Sequence, residues 1–382
     1  MNSKRMKNLH PYVPGEQPKD RSYIKLNANE NPYPPCPEVI STVTGFISGS
    51  PEKLGLYPDP DSLTLHEAVA GMLNRTGGVL CRAVSGGKQC SPAEEDKIPF
   101  TVTPDMIYSG NGSDEVLSFV FYAFFDSGCR LVVPEFSYSF YPVYGGFYNI
   151  PLDPVKLNQD WTLDTEKMVA HEKRNRSGII FANPNAPTGR GLTRSQIREM
   201  LQRTRRDKVF VVDEAYVDFG GESCIPLLAD FPNLLIVRTF SKSLCSAGMR
   251  LGYIVASPEI ARTVTTVKNS LNHFPIDAVA QVAGTAACRN DGYYADCAKK
   301  IVSEREKFST FLTLHGWDVI PSQTNFVFAK KTGIRGEEAY SRIKEQGILV
   351  RHFATKGIED YLRITIGTPE QMQVLCTAME HI

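Results

Sequence analysis

The chain has 382 residues, of which 42% are hydrophobic and 22% are charged, a composition typical of a globular protein with a large core. The 42 Lys and Arg residues balance 42 Asp and Glu residues, so charge gives no reason to expect binding to nucleic acid or an anionic membrane. No apolar run approaches a membrane span, and the N-terminus lacks the apolar stretch of a secretory signal. The nine cysteines form no C-x-x-C pair and no Cys/His cluster, which predicts a metal-free protein of a reducing, cytoplasmic compartment.

Helix-like and strand-like segments alternate from residue 61 onward. Apolar residues at helical spacing predict a helix over 61–75, and 106–125 predicts a strand, a glycine-rich turn and an apolar helix. A further helix is predicted over 193–206, with Thr193 as its cap. Apolar strands separated by helices predict an α/β fold, a mainly parallel sheet covered by helices. The strands expected in that sheet are RLVVPEF, GIIFANP, KVFVVDEAY, LLIVRTFS and LGYIVAS.

The pattern changes after residue 265, where a long helix-compatible segment precedes three short strand candidates, NFVFAK, ILVRHF and YLRITIG. This pattern predicts a smaller α+β domain. We therefore expect three parts, which are an N-terminal arm over 1–50 on the small domain or a neighbouring subunit, a large cofactor-binding domain over 51–265, and a small domain over 266–382.

One segment of the large domain, 75–104, is rich in glycine and proline and shows little periodicity. We expect it to be a surface insertion. It contains Cys81 and Cys90, which could pair, but the reducing compartment favours two free thiols.

Polar clusters directly follow several of the apolar strands, where ligands bind in open α/β sheets. In Gly110–Glu115 a glycine-rich turn opens a helix, whose first N–H groups favour an anion. Asp213 ends an apolar strand, and a buried carboxylate requires a cation or donors. Lys242 lies between two apolar strands, where burial lowers the pKa of an amine and makes it a nucleophile or Schiff-base partner. A helix cap at Asp213 and a lysine whose amine reaches water are the structural alternatives. Together the clusters match the needs of a planar pyridine aldehyde phosphate.

The chain resembles the aspartate-aminotransferase fold family of pyridoxal-phosphate enzymes, because it contains a set of motifs in the same order as that family. The arm segments LNANENPYPP and YPDPDS are similar, more specifically, to those of histidinol-phosphate aminotransferases. This similarity implies transamination of L-histidinol phosphate with 2-oxoglutarate in histidine biosynthesis, giving imidazole-acetol phosphate and L-glutamate. The core motifs are GNGSDE, YSFYPVY, NPNAPTG, DEAY, TFSKS with GMRLGY, and LRITIG.

The resemblance also implies a role for each site residue. Lys242 would bind pyridoxal 5'-phosphate covalently and shuttle the substrate proton. Asp213 would pair with the ring nitrogen, Tyr216 would donate to the phenolic oxygen, and Tyr138 would stack on the ring. Tyr57 would reach the cofactor phosphate of the neighbouring subunit, so that the active unit would be a homodimer. The other phosphate ligands would be Gly112, Ser113, Asp114, Ser241 and Arg250, with Thr239 close by.

Substrate contacts are implied for three residues: Asn29 in the arm, Arg363 in LRITIG for the anionic end, and Arg351 in ILVRHF for the phosphate. In many relatives an asparagine that meets the phenolic oxygen stands directly before Pro-Thr-Gly. Ala186 stands there in this chain, and we expect Asn185 to take its place.

Alternative functions stay open at this point. Other enzymes of the fold are aromatic amino-acid aminotransferases and threonine-phosphate decarboxylases, and the arm motif argues against the latter. A catalytically silent binding protein is a different class, but the presence of both Lys242 and Asp213 argues against it. In every enzyme alternative the partners are small molecules.

Overall fold

The structure is a computed structural model that describes residues 6, 9–81, 84–85, 88–89, 97–175, 178–380 and 382. Its strands are β1 (Ile24–Lys25), β2 (Val84–Ser85), β3 (Lys88–Gln89), β4 (Ile107–Asn111), β5 (Leu131–Pro134), β6 (Leu152–Val155), β7 (Ile179–Ala182), β8 (Phe210–Asp213), β9 (Leu234–Thr239), β10 (Leu251–Ala256), β11 (Trp317–Ile320), β12 (Phe326–Lys331), β13 (Ile348–Leu349), β14 (Arg351–His352) and β15 (Leu362–Thr365). Its helices are α1 (Pro37–Gly49), α2 (Leu63–Thr76), α3 (Gly112–Phe124), α4 (Phe140–Tyr148), α5 (Thr165–Asn175), α6 (Arg194–Arg203), α7 (Pro258–Leu271), α8 (Ala278–Arg289), α9 (Asp291–Leu314), α10 (Gly336–Glu345) and α11 (Pro369–Met379).

Seven of the described strands form the central sheet in the order β4-β10-β9-β8-β7-β5-β6. β10 runs antiparallel to both of its neighbours, and the pairs from β9 to β6 are parallel. Successive residues of a strand enter opposite cores. Phe181 and Val212 pack on one side of the sheet, and Ile180 and Val211 pack on the other. The apolar runs arise because both faces are covered, and the predicted fold class is confirmed.

A second sheet has the order β11-β12-β15-β14 and shares a separate core with α9, α10 and α11. The arm reaches this part of the molecule through β1, which pairs in parallel with β13 and places Ile24 opposite Ile348. This pairing brings the arm residues that follow β1 next to β15, because the N–H of Thr365 donates to the Leu26 carbonyl at 3.0 Å. The domain boundaries at residues 50 and 265 stay a prediction.

The predicted insertion is described only in part. α2 continues to Thr76, and β2 pairs with β3 in an antiparallel register. Cys90 lies outside the described residues, so the expectation for its thiol stays untested. The predicted cap at Thr193 is confirmed, because its hydroxyl and the Gln196 side chain form a reciprocal capping box. None of the described helices is long and apolar enough to cross a membrane.

Candidate active site

Two adjoining cavities lie where β7, β8 and β9 end. The larger one has a volume of about 340 Å³ and contains Asp213, Ser241 and Arg250 in its wall. The smaller one, about 190 Å³, contains Arg351 and Arg363. Both are lined by Ala28, Tyr138, Ala186, Tyr216 and Lys242. Because Lys242 faces both spaces, a group bound in one cavity lies within reach of a group bound in the other.

Lys242 is held at both ends by the arm. Its amine donates a 3.3 Å hydrogen bond to the Ala28 carbonyl, and its own carbonyl accepts a 2.9 Å bond from the Asn31 side chain. The amine also lies 5.8 Å from the centre of the Tyr216 ring. Lys242 lies three residues after the end of β9, so the end of a buried strand and the arm together fix the position of the amine.

Asp213, the last residue of β8, is buried without a cation. Burial raises the pKa of its carboxyl group to about 7, and the nearby Asp114 and Glu214 carboxylates act in the same direction. Hydrogen bonds from the Tyr141 hydroxyl (3.1 Å) and the Ala215 N–H (3.1 Å) only partly oppose this effect. The described residues give Asp213 no ion pair, so a ligand with a positively charged N–H group would satisfy this carboxylate.

An anion site lies at the start of α3. Gly112 has a φ of 79°, and a Cβ atom there would lie 2.5 Å from Nη2 of Arg250. Arg250 Nη2 lies 3.3 Å from Asp114 Oδ2. Ser113 and Ser241 line the larger cavity beside this guanidinium. A helix N-terminus, two hydroxyl groups and an arginine together suit a phosphate group. Thr239 also lines this cavity, and its hydroxyl accepts a hydrogen bond from the Ser241 N–H.

Two tyrosines of the site have hydrogen-bond partners that fix their rings. Tyr138 donates to Asp114 at 2.6 Å and lines both cavities. Tyr216 accepts a 2.9 Å hydrogen bond from the Asn29 side chain. Tyr141, which donates to Asp213, is a site residue that the sequence analysis missed. Its only signal in the sequence is its place in the same YSFYPVY motif as Tyr138, three residues later, at the start of α4.

Asn185 is not placed at the site, contrary to expectation. Its amide group donates to the Phe136 carbonyl (2.9 Å) and the Thr188 hydroxyl (3.1 Å), and its Oδ1 accepts from Ser137. These bonds use the side chain to hold its own loop. Ala186 lines both cavities instead, so this loop offers an apolar surface where many relatives place an amide.

Arg351 and Arg363 form the polar wall of the smaller cavity, and they stand opposite each other on β14 and β15. Burial lowers the pKa of the Arg363 guanidinium, whose Nε has no hydrogen-bond partner among the described residues. Arg351 donates to the Val13 carbonyl of the arm at 3.2 Å. Tyr12, which the sequence analysis also missed, lines the same cavity and stacks on Phe140 at 4.5 Å. A desolvated guanidinium with an unused N–H group suits an anionic ligand.

The remaining two predicted residues lie in different places. Asn29 lines the smaller cavity, but its side chain is bonded to Tyr216 and Thr365. Tyr57 is 82% exposed, stacks on Phe274 at 4.5 Å, and lines a separate cavity of about 630 Å³. It is not part of the wall around Lys242 in its own chain. In the described part of the chain, no group of His, Cys, Asp and Glu side chains could hold a metal ion.

The larger cavity therefore fits pyridoxal phosphate. An uncompensated buried carboxylate suits the ring nitrogen, the α3 N-terminus with Arg250 suits the phosphate, and Lys242 and Tyr216 line the same cavity. A planar ring with these substituents requires all of these groups together.

Comparison with known proteins shows the family of the chain. Residues 21–379 match the model of the family "Aminotransferase class I and II". The chain is 44% identical to the histidinol-phosphate aminotransferase of Syntrophus aciditrophicus, with 100% of this chain and 98% of the relative covered. It is 42% identical to that of Chromohalobacter salexigens, with 99% and 97% covered.

Solved structures share the fold. The histidinol-phosphate aminotransferase of Sinorhizobium meliloti in complex with pyridoxal-5'-phosphate superimposes with a TM-score of 0.82 at 23% identity, and the alignment covers 100% of this chain and 96% of that one. A mutant aspartate aminotransferase of Thermus thermophilus gives 0.80 at 19% identity, covering 100% and 98%. The full-length matches in sequence show that the chain belongs to the class I and II aminotransferases, a family of pyridoxal-phosphate enzymes.

Proposed function

We propose that the chain transfers the amino group of L-histidinol phosphate to 2-oxoglutarate, giving imidazole-acetol phosphate and L-glutamate in histidine biosynthesis. The observation that carries the proposal is the in-register pair Arg351 and Arg363 on the wall of a cavity that adjoins Lys242. Both substrates end in anions, a phosphate ester and a carboxylate, which an arginine pair binds in fork geometry. The 44% identity to a relative of that name supports the same substrates.

The larger cavity orients the cofactor. Bound pyridoxal phosphate supplies a protonated ring that withdraws electrons from the substrate carbon. Asp213 holds the proton on the ring nitrogen, and Tyr141 holds Asp213 through its hydroxyl group. Tyr216 would donate a hydrogen bond to the phenolic oxygen. Ser113, Ser241, Arg250 and the first N–H groups of α3 would bind the phosphate end.

Lys242 moves the proton. Its amine lies on the boundary of the two cavities, where it takes the proton from the carbon that bears the substrate amino group. The arm holds the amine through the Ala28 carbonyl and lines the smaller cavity with Tyr12. Because one cavity serves both substrates, they bind in turn, and we expect ping-pong kinetics.

A homodimer is part of the proposal. Tyr57 is mostly exposed and lies outside the wall around Lys242, so its proposed contact with a cofactor phosphate requires a second subunit. Seven cysteines carry free thiols, which supports the cytoplasm as the compartment: Cys36, Cys129, Cys224, Cys245, Cys288, Cys297 and Cys376.

An aromatic amino-acid substrate is the second candidate, because Tyr12, Tyr138 and Phe353 line the smaller cavity. The deciding experiment measures glutamate formed from 2-oxoglutarate with L-histidinol phosphate, L-tyrosine or L-phenylalanine, and carbon dioxide released from O-phospho-L-threonine. We expect kcat/KM to be highest for L-histidinol phosphate, by about 100-fold or more, since aromatic donors have no phosphate for the arginine pair. Equal or higher values with an aromatic donor would reject the proposed substrate and keep the aminotransferase.

A further inference from the structure

A hydrogen-bonded chain joins the strand that carries Arg363 to Tyr216. It runs from Thr365 on β15 through Asn29 in the arm to the Tyr216 hydroxyl. All three residues are buried, with exposed fractions of 2%, 1% and 8%. Asn29 and Thr365 are 336 residues apart in sequence, and Asn29 and Tyr216 are 187 residues apart.

The chemistry of Thr365 fixes which way the Asn29 amide faces. The backbone N–H of Asn29 donates to Thr365 Oγ1 at 3.0 Å. The Thr365 hydroxyl in turn donates its own proton to the side-chain oxygen Oδ1 of Asn29 at 3.1 Å. Oδ1 is therefore the atom on the Thr365 side, and the amide nitrogen is on the other side. That nitrogen donates to the Tyr216 oxygen at 2.9 Å.

The Asn29 backbone is held as firmly as its side chain. It adopts a φ of 54°, which a non-glycine residue rarely does, and asparagine tolerates this region better than most residues. Asn325, which directly precedes β12, donates to the Asn29 carbonyl at 3.0 Å. Asn325 next to β12 and Thr365 in β15 therefore hold Asn29 in place independently of Tyr216.

A tyrosine hydroxyl has one proton to donate. Because Tyr216 accepts from Asn29, its proton remains available to an acceptor in the larger cavity. If the Asn29 amide were reversed, Oδ1 would face Tyr216 and attract that proton. The orientation of one amide thus decides whether Tyr216 is a donor toward the cofactor.

We infer that Thr365 is a positioning residue that, through Asn29, keeps the Tyr216 hydroxyl a hydrogen-bond donor toward the phenolic oxygen of the cofactor. This role rests on the proposed function, in which Tyr216 meets that oxygen. It assigns Asn29 to Tyr216 rather than to direct contact with the substrate.

The test is a pH titration of the visible absorbance of the cofactor-bound enzyme without substrate, which reports the pKa of the Lys242–cofactor link. A donor to the phenolic oxygen competes with the link for that oxygen, so losing the donor makes the link hold its proton more tightly. We expect Tyr216→Phe to raise this pKa by about one pH unit. Thr365→Val should raise it by a smaller amount, and Thr365→Ser, which keeps the hydroxyl, should match the wild type.

The double variant makes the test specific. If Thr365 acts through Tyr216, Thr365→Val has no effect on the pKa in the Tyr216→Phe background. An unchanged pKa in Thr365→Val would overturn the inference, and so would an equal shift in both backgrounds. An unchanged pKa in Tyr216→Phe would overturn it as well, whereas the substrate assignment is unaffected because no substrate is present.

A second substitution serves if Thr365→Val does not fold, as judged by circular dichroism. Asn29→Asp keeps the shape but replaces the N–H donor by an oxygen that attracts the Tyr216 proton. The added negative charge by itself also raises the pKa of the Lys242–cofactor link. The size of this charge effect is measured by making the same substitution in the Tyr216→Phe background. The inference predicts a larger shift when Tyr216 is present, and equal shifts in the two backgrounds would overturn it.

Discussion

At the scale of single residues, Asp213 is a buried carboxyl group that has no positively charged partner among the described residues. Burial favours its neutral form, and the two hydrogen bonds it accepts do not restore an ordinary pKa. A cofactor with a protonated ring nitrogen supplies the missing positive charge. Binding and ionisation of this carboxyl group are therefore coupled, and the coupling is measurable in the cofactor-free protein.

We expect the cofactor-free protein to lose stability as the pH rises from about 4 to about 7. In this range the folded state keeps the Asp213 proton, because its pKa is raised to about 7, while the unfolded state has released it. Asp213 should change the free energy of unfolding with a slope on the order of −1.4 kcal/mol per pH unit. The measurement is urea unfolding of the wild type and Asp213→Asn across this range, and the difference between them isolates the residue.

Cofactor binding provides the matched control. With pyridoxal phosphate bound, the carboxyl group ionises beside a cation, so the difference between wild type and Asp213→Asn should no longer fall with pH. A difference in the cofactor-free proteins that is constant with pH would contradict the expected titration of Asp213.

At the scale of elements, the junction of β4 and α3 shapes the phosphate site. Gly112→Ala should weaken cofactor binding by about tenfold or more, since the new methyl group displaces Arg250 and the φ of 79° strains alanine. Gly128→Ala is the control, because Gly128 has a φ of 90° with open space around it. Both variants are titrated with pyridoxal phosphate and followed by absorbance. Equal loss in both would mean that backbone strain alone, without Arg250, explains the effect.

The paired strands β14 and β15 yield a prediction about the substrates. Arg363→Ala should lower the rate of both half-reactions by about 100-fold, because a buried bidentate pair with each anion is lost. Single-turnover absorbance changes with L-histidinol phosphate and with 2-oxoglutarate measure the two half-reactions separately. Arg342→Ala, on the exposed face of α10, is the control and should change neither. An effect on one half-reaction only would show that the two anions do not share Arg363.

How much of this fold the sequence predicts depends on how each strand is buried. β7, β8, β9 and β10 are buried on both faces and form continuous apolar runs, so they are predicted correctly. β6 contains Asp153 and an exposed Pro154 at the sheet edge, and β11 contains an exposed Asp318. Both strands are only four residues long and are interrupted by an aspartate, so neither forms a continuous apolar run. The antiparallel direction of β10 also follows from tertiary packing rather than from its own residues.

The sequence predicts those site residues that lie at or just after the end of an apolar strand. Asp213 and Lys242 each follow an apolar run, and the structure brings them to one cavity. Thr365 gives no such signal, because its role depends on a contact with the arm 336 residues away. For Asn185, the sequence does not show that the loop uses the amide internally.

At the scale of the whole molecule, the proposed homodimer requires each subunit to complete its neighbour's site. Mixing Lys242→Ala with Tyr57→Ala subunits should therefore restore activity. Random exchange makes half of the dimers hybrids, and each hybrid contains one site with both residues intact, so about a quarter of wild-type activity is expected. The measurement is aminotransferase activity after unfolding and refolding the two variants together.

Refolding each variant alone is the control, since neither can form an intact site. Activity of the mixture that equals the mean of the separately refolded variants would show that Tyr57 acts within its own chain or not at all. The oligomeric state, measured by sedimentation, tests the dimer independently of activity.

The chain of contacts from Asn29 to Thr365 also sets the order in which the enzyme can become active during its synthesis. Asn29 leaves the ribosome before Lys242, and Lys242 leaves it before Thr365. The central sheet has its full set of strands once β10 has emerged, yet the arm still lacks the strand that orients its asparagine. A nascent chain released before β15 would hold Lys242 and Asp213 without the contact that directs Tyr216. Competence for the reaction therefore requires that β15 has been translated, and not only the residues that bind the cofactor.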